Sequence, residues 1–416
     1  MRNSRIYKTI LFKAAALIAA VFLAGCGRSG VPEGAELIGT GRGILSSDRT
    51  ILDKGMLFPV RARTGGAIEY LDFASGDRFA LCSRTGCSHS DSNCPVWYPS
   101  YAAAPYIYDG YLFVFSYDPM TEGWNFMRSR IDGTDRRTAA SFLPEDLSAD
   151  TLSGGITEVY YDAGAAYFVL AGTVWGTDEE PNETHSSLMK IDLASGESRT
   201  VREVVPGDQL LGVFEGKAVL SRWSEREPCL SQTEFFDTYG EKGDWDSYYK
   251  EWYRENQVYS YVVADLESGD EVIAASVVGE TPETDYGYSL EDGCLYYTVG
   301  NELRRIRVEK AEDEPVYTEG ENLSMQCVAG KYVVLSLLDE AGEKIYGMRL
   351  VDTETKTAEP LDGDFLGSYG WVSAYNGSYF FGTCLIGPVY TDYYLPAESF
   401  FARSSEGRHI YFQIDA

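Results

Sequence analysis

The sequence predicts an all-β fold, a single β-propeller of seven four-stranded blades, on three observations. The first is a hairpin signature at residues 106–115, YIYDGYLFVF, where two runs of β-favouring residues flank Asp109-Gly110. Asp and Gly tolerate the positive φ of a two-residue turn best, and the flanking aromatic and β-branched residues suit pleated strands. The second is recurrence of this shape: LDKGMLF at Gly55, YDAGAAYFVL at Gly164, FEGKAVL at Gly216, EDGCLYY at Gly293, VAGKYVVL at Gly330 and YNGSYFF at Gly377. The mean spacing of these glycines, about 54 residues, suits one four-stranded blade and lies near the kelch period. The third is a mark that follows most of the hairpins, an apolar residue, an acid and a Gly-containing turn. It reads LDFASGD at Asp72, RIDGTD at Asp132, IDLASGE at Asp192 and ADLESGD at Asp265, while VDTETK at Asp352 keeps the acid without the Gly. Six or eight blades are the alternatives, because the last repeat, FARSSEGRHIYF, lacks the acid.

At the start of the chain, Arg2, Arg5, Lys8 and Lys13 precede an apolar run at residues 14–24, too short to span a bilayer as a mature helix. Basic residues followed by such a run form a secretory signal. The run ends in Leu23-Ala24-Gly25-Cys26, which resembles the bacterial lipobox, small residues before a Cys whose thiol takes a diacylglycerol. That resemblance implies that residues 1–25 are removed and that Cys26 becomes a lipidated N-terminus. Residues 26–35 are then a tether, and the expected location is the cell membrane, lipid-anchored and facing the extracytoplasmic side. Residues 36–416 show no Pro- or Ser-rich linker and no second compositional regime, so they are read as one domain. Alternating Val, Tyr, Phe and Ile exclude a helical solenoid. Because a propeller removes exposed edges by closing on itself, residues 36–45 are expected to supply a strand beside residues 410–414.

The repeated acids are read as structural: Asp and Ser side chains bond nearby backbone in turns and fix strand register. The second repeat, FMRSRIDGTDRRT, resembles the blades of TolB-type propellers, and the whole chain is similar to propeller-bearing bacterial lipoproteins of unassigned function. The resemblance implies a binding platform more often than an enzyme, and the other repeats depart from the DGT pattern. The formal charge of −29 becomes more negative once the leader's bases are removed. That excludes a nucleic-acid partner, which needs a basic patch.

Residues 81–97, LCSRTGCSHSDSNCPVW, hold Cys82, Cys87, His89 and Cys94 within thirteen positions, in a chain with three His. Three thiolates and an imidazole satisfy tetrahedral Zn²⁺ as a structural ion. Cys87 and His89, two apart, would face one side of an extended segment. The C-x₄-C-x-H-x₄-C spacing differs from common C-x₂-C pairs, and the lipoproteins this chain resembles carry a similar loop. A disulfide between two of the three cysteines stays open, with the odd thiol pairing with Cys229, Cys294, Cys327 or Cys384, as do free thiols in a reducing habitat.

The fourth repeat swells at residues 225–256, with nine acids, four bases and eight aromatics. Asp244 is placed to cap a helix in which Trp245, Tyr248, Tyr249, Trp252 and Tyr253 form a one-sided stripe. Either that stripe packs onto its own propeller, or Trp245, Tyr248, Trp252 and Tyr253 anchor a protein or carbohydrate ligand. Residues 387–401, GPVYTDYYLPAESFF, read as a second aromatic loop. No G-x-S-x-G, phosphate-loop or H-E-x-x-H motif is present, and His185 and His409 lack an evident partner in sequence. Carboxylate pairs drawn from Asp178, Glu179, Asp244 and Asp246 arise by chance among 64 acids. The expectation is therefore a non-catalytic binding module, with an envelope scaffold of TolB type, or less readily a polysaccharide lyase or glycosidase, as the alternatives.

Overall fold

Each of the seven glycine turns joins the first two strands of an antiparallel sheet, and each of the five acid marks joins the last two. The computed structural model describes residues 49–62, 65–98, 102–121, 123–142, 151–162, 164–174, 183–240, 243–279, 287–339, 345–386 and 388–415. The leader, Cys26, the tether and residues 36–45 lie outside them, as do Asp178 and Glu179.

The first sheet runs β1 (Thr50–Ile51), β2 (Gly55–Ala62), β3 (Gly65–Asp72) and β4 (Arg78–Ala80), with β5 (Trp97–Tyr98) also on β3. The second runs β6 (Ala102–Tyr108), β7 (Tyr111–Asp118), β8 (Gly123–Arg130) and β9 (Arg137–Phe142). Five more four-stranded meanders follow, covering residues 151–204, 209–278, 288–318, 323–361 and 368–415. Seven sequential meanders are the strand plan of a seven-bladed β-propeller, and the chain is nearly all-β. The described chain divides into two compact units, the first holding the first two sheets and the second the other five.

The turn chemistry matches the local sequence. Asp109 and Gly110 take φ of 48° and 74°, the paired positive values of a two-residue hairpin turn. At the same end of the sheets, in the turn between the last two strands, Asp72 Oδ1 accepts from the N–H groups of Ala74 and Ser75 at 2.9 and 2.8 Å. Asp192, Asp265 and Asp352 do the same for the turns that follow them. These acids are turn residues, as their spacing implied.

Within the second unit, successive sheets share apolar clusters. Tyr167, Val169 and Leu188 of the third sheet pack with Leu220, Val262 and Ala264 of the fourth. The fourth and fifth meet through Tyr261 and Tyr297, whose ring centroids are 4.3 Å apart. The sixth and seventh meet through Val334, Leu350, Phe380 and Tyr393. Each such fully buried side chain contributes about 1.5–3 kcal/mol by leaving water.

Three elements depart from the sequence reading. A helix, α1 (Gln232–Tyr239), precedes the expected α2 (Trp245–Asn256) inside the insertion. Ser231 and Glu234 form a reciprocal capping box at its start, an S-x-x-E signal hidden in a stretch read as acidic loop. Residues 388–401 are not a second aromatic loop: the strand Val389–Pro396 is the third of the seventh sheet, buried from Thr391 to Leu395, and α3 (Ala397–Phe401) follows. A run buried on both faces loses the alternation that marks a strand, which is why it resembled a loop.

Candidate functional site

β4 and β5 are two halves of one outer strand. Glu69 to Leu71 of β3 pair with β4, and Gly66 and Ala67 of the same strand pair with β5. Between them Ile68 closes the gap: its carbonyl accepts from Leu81 N–H at 3.1 Å and its N–H donates to Val96 O at 3.2 Å. The cysteine loop therefore leaves and re-enters the sheet at one residue.

The loop brings Cys82, Cys87, His89 and Cys94 together. Their ligand atoms all lie within 4.8 Å of one another, so the four groups can hold a metal ion, the one cluster of this kind among the described residues. Cys82 and Cys94 are buried, while Cys87 and His89 are half-buried. His89 Nδ1 faces Cys94 Sγ at 3.4 Å. The segment is not extended, as the Cys87–His89 spacing suggested, but wound in turns. Cys87 N–H bonds Arg84 O at 3.3 Å, Cys94 N–H bonds Asp91 O at 3.0 Å, and His89 takes a left-handed φ of 54°. The turns converge the ligands where extension would have lined up only two of them.

Each thiol also receives the backbone N–H of the residue two places on. Arg84 N–H donates to Cys82 Sγ at 3.4 Å, and the N–H groups of His89 and Val96 serve Cys87 and Cys94. Such donors stabilise sulfur as thiolate. Burial pushes the Cys82 thiol up and the Cys94 thiol up to about 12. Burial also acts to raise Cys87, but the His89 N–H, the neighbouring thiols and the Arg84 guanidinium together bring it down. Buried thiols with inward N–H donors make a centre that favours a cation among them. A tetrahedral ion with Zn–S bonds of about 2.3 Å needs ligands about 3.8 Å apart, within reach of this arrangement.

The remaining cysteines have other surroundings. Cys327 and Cys384 are buried in the core cluster of the sixth and seventh sheets, where burial pushes both thiols up. Cys294 lies on the fifth sheet and Cys229 in the insertion.

The insertion leaves the fourth sheet between its second and third strands, Lys217–Glu225 and Gln257–Asp265. The ladder runs unbroken from Lys217↔Asp265 to Glu225↔Gln257. Asp244 caps α2 as expected, accepting from Ser247 N–H at 3.1 Å. The four expected contact rings do not share one environment. Trp252 is 7 % exposed and donates through Nε1 to Glu227 O at 3.0 Å. Tyr248 and Trp245 are half-buried against Phe235 of α1, with ring centroids 4.9 and 5.4 Å away. Tyr253 is half-buried beside Tyr249. The rings left in solvent are Tyr249, 43 % exposed between Trp245 and Trp252, and Tyr239, 60 % exposed at the end of α1. Tyr249 belonged to the stripe but not to the expected contact set, and Tyr239 was missed because α1 was not foreseen.

Other charged groups are absorbed by structure. Arg222 chelates the buried Asp208 through Nε and Nη2 at 3.0 and 2.9 Å and bonds Glu271 at 2.8 Å. Asp244 is a helix cap, and His409 stacks on Tyr394 at 5.0 Å.

No protein-family model matches this sequence, and no curated protein matches it. Solved structures do. A prolyl endopeptidase structure is 13 % identical, with a TM-score of 0.44, over 71 % of this chain, which spans 41 % of that protein's length. The β-propeller domain of the Trilobed protease from Pyrococcus furiosus is 10 % identical, with a TM-score of 0.44, over 89 % of this chain and 96 % of that one. TolB from Acinetobacter baumannii is 12 % identical, with a TM-score of 0.35, over 86 % and 79 %. These likenesses carry no argument about activity, and the fold assignment rests on the strand plan above.

Proposed function

We propose that this chain is a lipid-anchored, extracytoplasmic propeller that binds a protein or carbohydrate ligand without transforming it, through its helical insertion. One observation carries the reading. The insertion hangs from a ladder that is complete without it, yet it builds an aromatic core of its own and leaves Tyr239 and Tyr249 in solvent. Tyrosine presents a large, rigid surface with a polar tip, the kind of group that anchors sugars and peptides. Trp245, Tyr248, Trp252 and Tyr253 stand behind these rings and hold them. In this reading Trp252 is a support for the contact face, and Tyr249 takes the contact role that was expected of its neighbours in the stripe.

The anchor is Cys26, and the Cys₃His centre holds one Zn²⁺ as a structural ion. Four protein ligands leave no open position for water or substrate, so the metal organises the loop and performs no reaction. Binding of the full-length protein to glycan and peptide arrays, compared with a Tyr239→Ala/Tyr249→Ala variant, tests the proposal. The expected result is a loss of about tenfold or more in affinity at unchanged stability. Unchanged binding by the double variant would overturn the assignment of the face.

A further inference from the structure

The D-G-T-D sequence occurs only in the second repeat, and the structure places that turn against the cysteine loop. Asp132 Oδ1 accepts from Thr134 N–H at 3.0 Å and Thr134 Oγ1 at 2.6 Å, which shapes the turn between β8 and β9. Its other oxygen, Oδ2, accepts from Ser83 Oγ at 2.9 Å, and Ser83 is the neighbour of Cys82. At the far end of the turn Arg136 Nη1 donates to Trp97 O at 2.6 Å, and its guanidinium lies over the Tyr98 ring at 5.1 Å. In the middle, Gly133 takes a φ of 78°. A Cβ there would stand 2.5 Å from the backbone of Pro95, the neighbour of Cys94, and 2.6 Å from Val96 Cγ1. The turn is thus gripped by the residues that follow the first and last ligand cysteines.

We propose that the cysteine loop is a metal-closed strap, in which one Zn²⁺ bound by Cys82, Cys87, Cys94 and His89 Nδ1 fixes the Asp132–Arg136 turn of the second sheet onto the first. The proposal rests on the zinc reading of the preceding section and extends it from a local clip to a link between two sheets. The physical argument is one of loop entropy. Residues 82–95 form a long excursion wound in isolated turns, joined to the first sheet at its base by the Ile68 bonds. An ion held at four points along the excursion removes most of its freedom, and metal binding energy becomes local folding energy. Ser83 and Pro95 are then presented at fixed positions. A carboxylate at residue 132 and a residue without Cβ at 133 are what those two positions require. Among the described residues no other repeat has such a ligand loop beside it, which accounts for the freedom of those repeats to lose the DGT pattern.

The test uses full-length protein purified anaerobically under reducing conditions, with and without zinc removed by a chelator. Metal content, the absorption of a cobalt-substituted sample and backbone hydrogen exchange are measured together. The proposal predicts one ion per chain and the intense visible bands of tetrahedral cobalt with thiolate ligands. It also predicts that removing the ion speeds exchange at Gly133 and Thr134 by about tenfold or more. The N–H of Gly269, in the equivalent turn of the fourth sheet, bonds Asp265 O at 3.0 Å and should not change. A Ser83→Ala variant should keep the ion and show faster exchange at the same turn. If one ion binds but exchange at Gly133 and Thr134 is the same with and without it, the strap is overturned and the zinc reading stands. If no ion binds and a Cys–Cys bridge is mapped among these residues, both are overturned.

Discussion

Glu225 pairs with Gln257 at the end of an unbroken antiparallel ladder, and the entire helical insertion leaves and returns between these two residues. Leu81 and Val96 stand in the same relation around Ile68 at the base of the cysteine loop. Both additions to the repeat are therefore grafted where the sheet is already hydrogen-bonded on either side. Neither needs to distort its sheet, and each is free to carry its own chemistry.

Trp252 should prove structural. Its ring is buried within the insertion and its indole N–H is bonded, so Trp252→Ala is expected to cost about 3–5 kcal/mol of the stability of this subdomain. Limited proteolysis of the variant should show rapid cleavage within 226–256. Tyr249→Ala should change proteolysis little, because that ring is 43 % exposed.

The capping box of α1 predicts a smaller effect. Ser231→Ala removes the acceptor for Glu234 N–H, bonded at 3.2 Å, and should cost about 1 kcal/mol. Exchange at the first amides of α1 should accelerate, with the strands of the fourth sheet unchanged. If α1 exchange is unaffected, the cap is not what starts this helix.

Acid should weaken the edge of the fourth sheet. Hydrogen bonds from Arg222 hold the Glu271 carboxyl below its usual range, with burial opposing and Arg202 assisting. A depressed folded pKa means that the stabilisation is fully present above the unfolded value, about 4.3. It is lost as the pH falls through the folded value. Glu271→Gln should remove this part of the acid sensitivity, seen as a shallower loss of melting temperature below about pH 4. An identical pH profile in the variant would show that the pair contributes nothing at this edge.

Membrane attachment should depend on one sulfur. Cys26→Ser is expected to release the protein from the membrane fraction and to abolish the lipid mass increment at the N-terminus. A variant that stays membrane-bound without that mass change would argue against the lipobox assignment.

Much of this architecture is legible in the residues. Gly110, Gly164, Gly216, Gly293, Gly330 and Gly377 announce the first hairpin of six sheets, because their positive φ favours a residue without Cβ; Gly55, which opens β2, is required for a different reason, since a Cβ there would stand 2.2 Å from the Tyr70 ring. Asp72, Asp132, Asp192, Asp265 and Asp352 announce the last, because a short carboxylate can bond the amides that follow it. The candidate ligand set is also plain, since Cys82, Cys87, His89 and Cys94 crowd one short stretch. Their convergence is less so, because it depends on turns at Arg84, His89 and Asp91 that spacing alone does not reveal. The grip on Asp132 and Gly133 was hidden, for it joins residues about forty to fifty positions apart. Likewise the stripe on α2 was visible, but its partner Phe235 was not, so the sequence could not say which rings face solvent.

The central claim is that the insertion binds and the propeller supports it. Its most direct test is to replace residues 226–256 by a short Gly-containing turn joining Glu225 to Gln257, and to measure the melting temperature and ligand binding of the two proteins side by side. The account predicts a shortened protein that melts within a few degrees of the original, as a ladder already complete at Glu225↔Gln257 implies, and that has lost its ligand. A shortened protein that binds as well as the original, or one that cannot fold, would contradict it.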